Sequence, residues 1–205
     1  MFALLLGCST RDTPLVFAAA STGPALQEAL EELGLEARVH LASSAALARQ
    51  IEAGADAAVL LSAHPSCVDE LDVQARRNLL ENGIVLAGEP GAQLSGARCI
   101  ATGDPEHVPL GVYAREALTE QDRWDALEPR IIGTADAAAA SALVRRGECE
   151  LGWIYSTDVG ELTVHERLDG RATYVLARLT YEGADLYDRL PTAGSWARAG
   201  FEVLP

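Results

Sequence analysis

Short apolar runs alternate with amphipathic stretches along most of this chain. Residues 16–20 (VFAAA) are continuously apolar; the polar turn Ser21-Thr22-Gly23 and Pro24 then open a stretch with helical spacing that ends at Leu33. The pattern predicts a strand buried on both faces and an amphipathic helix over 24–33. Ser21 or Thr22 is placed to cap that helix, and Gly34 to stop it. The unit repeats. A strand at 37–42 meets Ser43-Ser44, which open a helix at 45–53 closed by Gly54; a strand at 57–62 and a helix at 66–71 follow. Strand–helix alternation with glycine stops predicts βαβ units, a parallel sheet and right-handed crossovers.

The middle of the chain is less regular. Residues 75–82, rich in Arg and Asn, read as a helix broken by Gly83, and 84–87 as a strand. The turn formers of 88–96 suggest a connection between two lobes. The theme then returns: strand 98–102, loop 103–108, a helix from Pro109 to Leu118 with proline in its first turn, strand 130–133, helix 137–146, strand 151–155, strand 172–178 and helix 182–190. Two halves built alike predict an α/β protein of two small lobes. Ligand is expected outside the carboxyl ends of the strands, at Ser21, Ser44, Leu110, Ala137 and Tyr155.

A hydrophobic content of 49% over 205 residues supports a sizeable core. The formal net charge of −14 argues against nucleic acid or an anionic membrane surface as partner. No internal run is long and apolar enough to span a bilayer. Cys67, Cys99 and Cys149 match no zinc spacing. Cys99 and Cys149 each open a predicted strand and could lie close, but three plain thiols are the simpler expectation. The scattered His40, His64, His107 and His165 make no metal set, and Trp124, Trp153 and Trp196 read as core.

Several blocks carry a resemblance. They are Val16-Phe17-Ala18-Ala19-Ala20-Ser21, Ala42-Ser43-Ser44, the run Leu47 to Ala55, the run Gly103 to Pro109, Tyr113-Ala114, Ala142-Leu143-Val144, and Leu151-Gly152 with Tyr155. In order and over roughly residues 15–160, they resemble the molybdate-binding proteins of bacterial ABC transporters, which are type II solute-binding proteins. The resemblance implies a two-lobed periplasmic-binding-protein-like α/β fold, each lobe a mostly parallel sheet flanked by helices. The corresponding division is a leader and linker at 1–14, a first lobe at 15–84, a second at 85–176 and a return to the first at 177–205. It also implies a monomer, no enzymatic activity, no cofactor and an ABC-type permease as partner.

By position, the resemblance assigns the oxyanion to the hydroxyls of Ser21 and Ser44, the backbone N–H groups of Leu110 and Ala137 and the hydroxyl of Tyr155. The only metal implied is the oxyanion itself at these residues. The family has a smaller residue where Leu110 stands, a β-branched one at Ala137 and an acidic one at His64; the segments 88–97 and 163–180 are shorter here. Leu5-Leu6-Gly7-Cys8 resembles the lipobox of bacterial lipoproteins, which implies lipidation at Cys8 and a periplasmic or membrane-anchored extracytoplasmic location, although the expected basic start and longer apolar region are missing.

The chemistry is consistent with that assignment. Molybdate and tungstate are tetrahedral dianions without a proton near neutral pH, so a selective site presents donors alone. Hydrogen bonds to a charged acceptor contribute about 1.5–3 kcal/mol each, and several together offset the dianion's desolvation without Lys or Arg. Hydrogen phosphate would also want an acceptor, and no carboxylate is clearly placed for it; Asp158 reads as a helix cap. The alternatives are another oxyanion or small acid, and a ligand-sensing module of the same fold. A serine enzyme using His107 or His40 lacks the Gly-x-Ser-x-Gly elbow.

Overall fold

The computed structural model describes residues 13–205, so Cys8 and the apolar leader lie outside the described residues. The chain runs β1 (Leu15–Ala19), α1 (Gly23–Leu33), β2 (Arg38–Ala42), α2 (Ser44–Glu52), β3 (Val59–Ser62), α3 (Ser66–Asp69) and β4 (Ala75–Gly88). It continues through β5 (Ile100–Gly103), α4 (Pro109–Glu120), α5 (Trp124–Leu127), β6 (Ile131–Thr134), α6 (Ala137–Arg145) and β7 (Leu151–Tyr155). It closes with β8 (Thr163–Arg178), α7 (Ala184–Arg189), α8 (Ser195–Arg198) and β9 (Glu202–Val203).

All described strands join one sheet in the order β2-β1-β3-β8-β4-β7-β5-β6, with β9 on β4. The outer flanks are parallel: β2, β1 and β3 on one side, β6, β5 and β7 on the other. Between them run two long antiparallel strands, β4 and β8, each lending one part to either flank. The α/β class and the paired βαβ halves thus appear as expected. The apolar run of β1 is explained by burial on both faces: Val16 and Ala18 pack with Leu26 and Leu30 of α1, while Phe17 packs with Leu47 of α2 and Leu60.

The middle of the chain departs from expectation. Residues 75–82 are strand, not helix: they form the first part of β4 and pair with β8 from Ala75↔Arg178 onward. A register shift between Asn78 and Leu80 leaves both Leu79 and Leu80 buried, which erases the alternation that marks a strand. β8 likewise starts at Thr163, nine residues before the apolar run at 172–178. The turn-rich stretch 88–96 is not where the chain changes flank. The change is made inside β4, which from Ile84 onward pairs with β7.

Cys99 and Cys149 are joined by a disulfide, with Cα atoms 5.0 Å apart and 50 residues between them, contrary to the expectation of three thiols. The bond ties the approach to β5 to the approach to β7. Cys67 is free and half-buried. A closed loop of this length stabilises by about 2–4 kcal/mol through the restricted unfolded chain. Urea unfolding with and without reductant is expected to differ by that amount, and the Cys99→Ser/Cys149→Ser variant to match the reduced protein.

Candidate functional site

The carboxyl ends of the strands from both flanks face one another. Ser21 sits in a single turn of 3₁₀ helix, Ala20–Thr22, between β1 and α1. Neither Ser21 nor Thr22 caps α1 with its side chain, as had been expected: Thr22 Oγ1 donates back to Ala19 O at 2.8 Å, and Ser21 Oγ lies 2.9 Å from Tyr174 Oη on β8. At the next junction the paired serines divide the work. Ser43 Oγ caps α2 by accepting from Ala46 N–H, whereas Ser44 Oγ accepts from Ala63 N–H at 2.8 Å, just past the end of β3. With its acceptor role filled by a backbone amide, Ser44 keeps its one hydrogen for another partner.

The second flank contributes helix N-termini. Gly103 ends β5 and Gly111 lies in the first turn of α4; a Cβ on Gly111 would collide with the carbonyl of Gly103, so the pair of glycines lets α4 start tight against the strand end. Pro109 has no N–H to lose at that position, and Leu110 N–H is among the first-turn donors without an intrahelical acceptor. At α6, Asp136 Oδ1 accepts from Ala139 N–H at 2.8 Å, which leaves Ala137 N–H at the open end of the helix. Tyr155 closes β7. It is 1% exposed, and its hydroxyl is buried without a hydrogen-bond partner among the described residues.

Ser21, Ser44, Leu110, Ala137 and Tyr155 line one cavity between the flanks, with Ala63, Pro109 and Asp136 among its other walls. Its volume, about 10 Å³ to the centre of a water-sized sphere, is room for about one very small solute. The N-termini of α2, α4 and α6 and the turn before α1 all meet there, and their dipoles favour negative charge. Leu110 itself is fully buried in the core.

Residues 14–182 match the family described as bacterial extracellular solute-binding protein. The chain belongs to this family. Over 168 residues it is 39% identical to the molybdate-binding protein ModA of Escherichia coli, covering 70% of this chain and 65% of that protein. It therefore spans somewhat less than two thirds of that relative's length. Over 185 residues it is 29% identical to the putative ABC transporter substrate-binding lipoprotein YvgL of Bacillus subtilis, covering 77% of this chain and 71% of that one. The fold superposes on the Azotobacter vinelandii periplasmic molybdate-binding protein with a TM-score of 0.80, at 18% identity, covering 94% of this chain and 99% of that one. The periplasmic-binding-protein fold is thereby established.

Sequence reasoning about this solute-binding protein missed three features of the site. Asp136 was read only as a helix cap, yet its residue also lines the cavity. Tyr174 carried no signal, being one of several apolar or aromatic residues in a strand. The third is His64, a departure from the family pattern: its ring packs on Tyr113 of α4 across the cleft, with centroids 4.7 Å apart. Its Nδ1 faces Ser66 Oγ at 2.7 Å. Burial holds the His64 pKa below its ordinary value, against the opposing fields of Glu116 and Asp69. The same setting pushes Tyr113 up to about 12, and its hydroxyl oxygen accepts from Thr173 N–H at 3.3 Å. The two flanks therefore touch through a pair of neutral rings.

Asp158 caps no helix either. It ends the 3₁₀ turn after β7, and its Oδ2 is buried without a partner. Burial pushes its pKa up to about 7, Asp136 adds to the shift and Arg145 opposes it. The unfolded carboxyl loses its proton near pH 4, while the folded one keeps it to about pH 7. The unfolded state thus binds fewer protons in between, and stability falls as pH rises through that window. Asp158→Asn is expected to stabilise the protein by about 1 kcal/mol or more at pH 8 and to change little at pH 4.5, as read by urea unfolding at the two pH values.

Proposed function

We propose that this chain captures molybdate or tungstate between its two lobes and delivers it to an ABC-type permease. It acts as a binding protein without a cofactor and without catalysis. The observation that carries the reading is the convergence of neutral donors from both flanks on one small cavity. Ser44 has a hydrogen to spare, Tyr155 has an unpartnered buried hydroxyl, and Leu110 and Ala137 lie in the first turns of helices. Burial raises the Tyr155 pKa well above its ordinary value, so the group stays a donor at any physiological pH. The relative named for molybdate supports the choice of anion. The proposed lobes are 15–84 with 177–205, and 85–176. Closure is a hinge motion in which ligand favours the closed state. A tetrahedral oxyanion is larger than the present cavity, so its bound form would hold the lobes slightly further apart.

Location and partners follow the same reading. The relative named a substrate-binding lipoprotein supports lipid attachment at Cys8 and an extracytoplasmic, membrane-anchored monomer facing its permease. Mass spectrometry of the protein from its native membrane is expected to find acyl chains on Cys8. A second reading has one observation in its favour: the Asp136 carboxyl group beside the cavity could accept the proton of hydrogen phosphate or another protonated oxyanion.

Calorimetric titration tests both. Molybdate or tungstate is expected to bind at micromolar concentration or tighter and to outcompete sulfate and phosphate. Failure of both metal oxyanions to bind would discard the first reading, and preference for phosphate would favour the second. Ser44→Ala and Tyr155→Phe each delete one donor to a charged acceptor, a loss of about 1.5–3 kcal/mol, or roughly tenfold to a hundredfold in Kd. Unchanged affinity in both would remove the proposed site.

A further inference from the structure

Ser44 and Ser21 differ in what holds them. The partner of Ser44 is a backbone N–H, which can only donate, so the direction of that bond is fixed. The partner of Ser21 is the Tyr174 hydroxyl at 2.9 Å, and either oxygen could be the donor. The choice matters. If Ser21 donated to Tyr174, it would turn only lone pairs toward the cavity and repel an anion. If Tyr174 donates, the single hydrogen of Ser21 is available to the cavity.

The surroundings of Tyr174 decide between these. Tyr174 is fully buried on β8. Leu80 of β4 lies opposite it and Asn82 opposite Ala172, so Asn82 and Tyr174 are diagonal neighbours on one face of the sheet. Asn82 is itself buried, and its amide orientation is set at both ends: Oδ1 accepts from Ser156 Oγ at 2.7 Å and Nδ2 donates to Thr157 Oγ1 at 2.8 Å. Its second N–H remains, and Asn82 acts on the Tyr174 phenol in the sense of a donor. A donor behind the phenol oxygen leaves the phenol hydrogen to point the other way, toward Ser21.

We infer that Tyr174 is a positioning residue that acts through Ser21: its hydroxyl donates to Ser21 Oγ and thereby turns the Ser21 hydrogen into the cavity as a donor for an oxyanion. This rests on the oxyanion-binding reading above. It makes a chain of hydrogen bonds of one polarity. The chain starts at Ser156 on the second flank, passes through Asn82 and Tyr174 on the two crossing strands, and ends at Ser21 on the first. The donor set at the ligand is then tied to the strands about which the flanks turn.

The test is a double-mutant cycle read by calorimetry with molybdate as the probe. Tyr174→Phe is expected to weaken binding about tenfold, and Ser21→Ala at least as much. In the Ser21→Ala background, Tyr174→Phe should change Kd by less than about twofold, because Tyr174 then has nothing left to orient. Additive losses, or a Tyr174→Phe protein that binds as well as wild type while Ser21→Ala is weakened, would overturn the inference and leave the binding reading intact. Wild-type protein that binds none of molybdate, tungstate, sulfate and phosphate would overturn both. Placing 4-aminophenylalanine at Tyr174 keeps the ring and a hydrogen-bond donor, and is also the variant to use if Tyr174→Phe does not fold. It should hold Kd within about threefold of wild type, and a tenfold loss would overturn the inference.

Discussion

The pairing of β4 with β8 is the constraint on which the rest of the structure depends. It is the longest ladder of the sheet, antiparallel between two parallel flanks, and the chain passes between flanks only along these strands. The register places Asn82 and Tyr174 on one face beside the cleft. It also brings the ends of β1, β2 and β3 opposite those of β5, β6 and β7. A slip of one residue would turn every side chain of either strand to the other face. The bulges at Asn78/Leu80 and Gly83/Val85 interrupt the ladder along the same stretch of β4 where the flanks diverge.

The flanks were legible because each of their strands answers to local rules. β1, β3 and β7 are short apolar runs, their helices have helical periodicity, and glycine or proline marks most ends. The crossing strands obey a different rule. Arg76, Arg77 and Asn78 are poor advertisements for a strand, and only pairing with residues a hundred positions away makes them one. Of the site, the junctions were readable and the bonds were not. Ser21 and Ser44 stand in similar strand-to-helix turns, yet one is held by a tyrosine hydroxyl and the other by a backbone amide. Neither partner is near in sequence. The same holds for Cys99 and Cys149, whose closeness depends on β5 and β7 being neighbours in the sheet.

A strongly acidic protein can hold an anion if long-range and local fields are separated. The net charge of −14 acts through solvent, where salt screens it over about 8–10 Å. Inside the cleft, water is excluded and fixed dipoles dominate: helix ends, hydroxyls whose acceptor sides are already filled, and a phenol that does not ionise. Such a set requires no large reorientation when charge arrives. The carboxyl groups of Asp136 and Asp158 near it are handled in different ways, one by capping a helix and the other by holding its proton.

The stacked rings of His64 and Tyr113 have a kinetic meaning. They are the visible contact by which a segment following β3 leans on α4 across the cleft. An aromatic contact of this kind contributes about 0.5–1.5 kcal/mol beyond the area it buries. That energy is absent when the lobes stand apart. It therefore slows reopening more than it slows closing, and lengthens the time a captured ion is kept, whatever the ion's own bonds contribute.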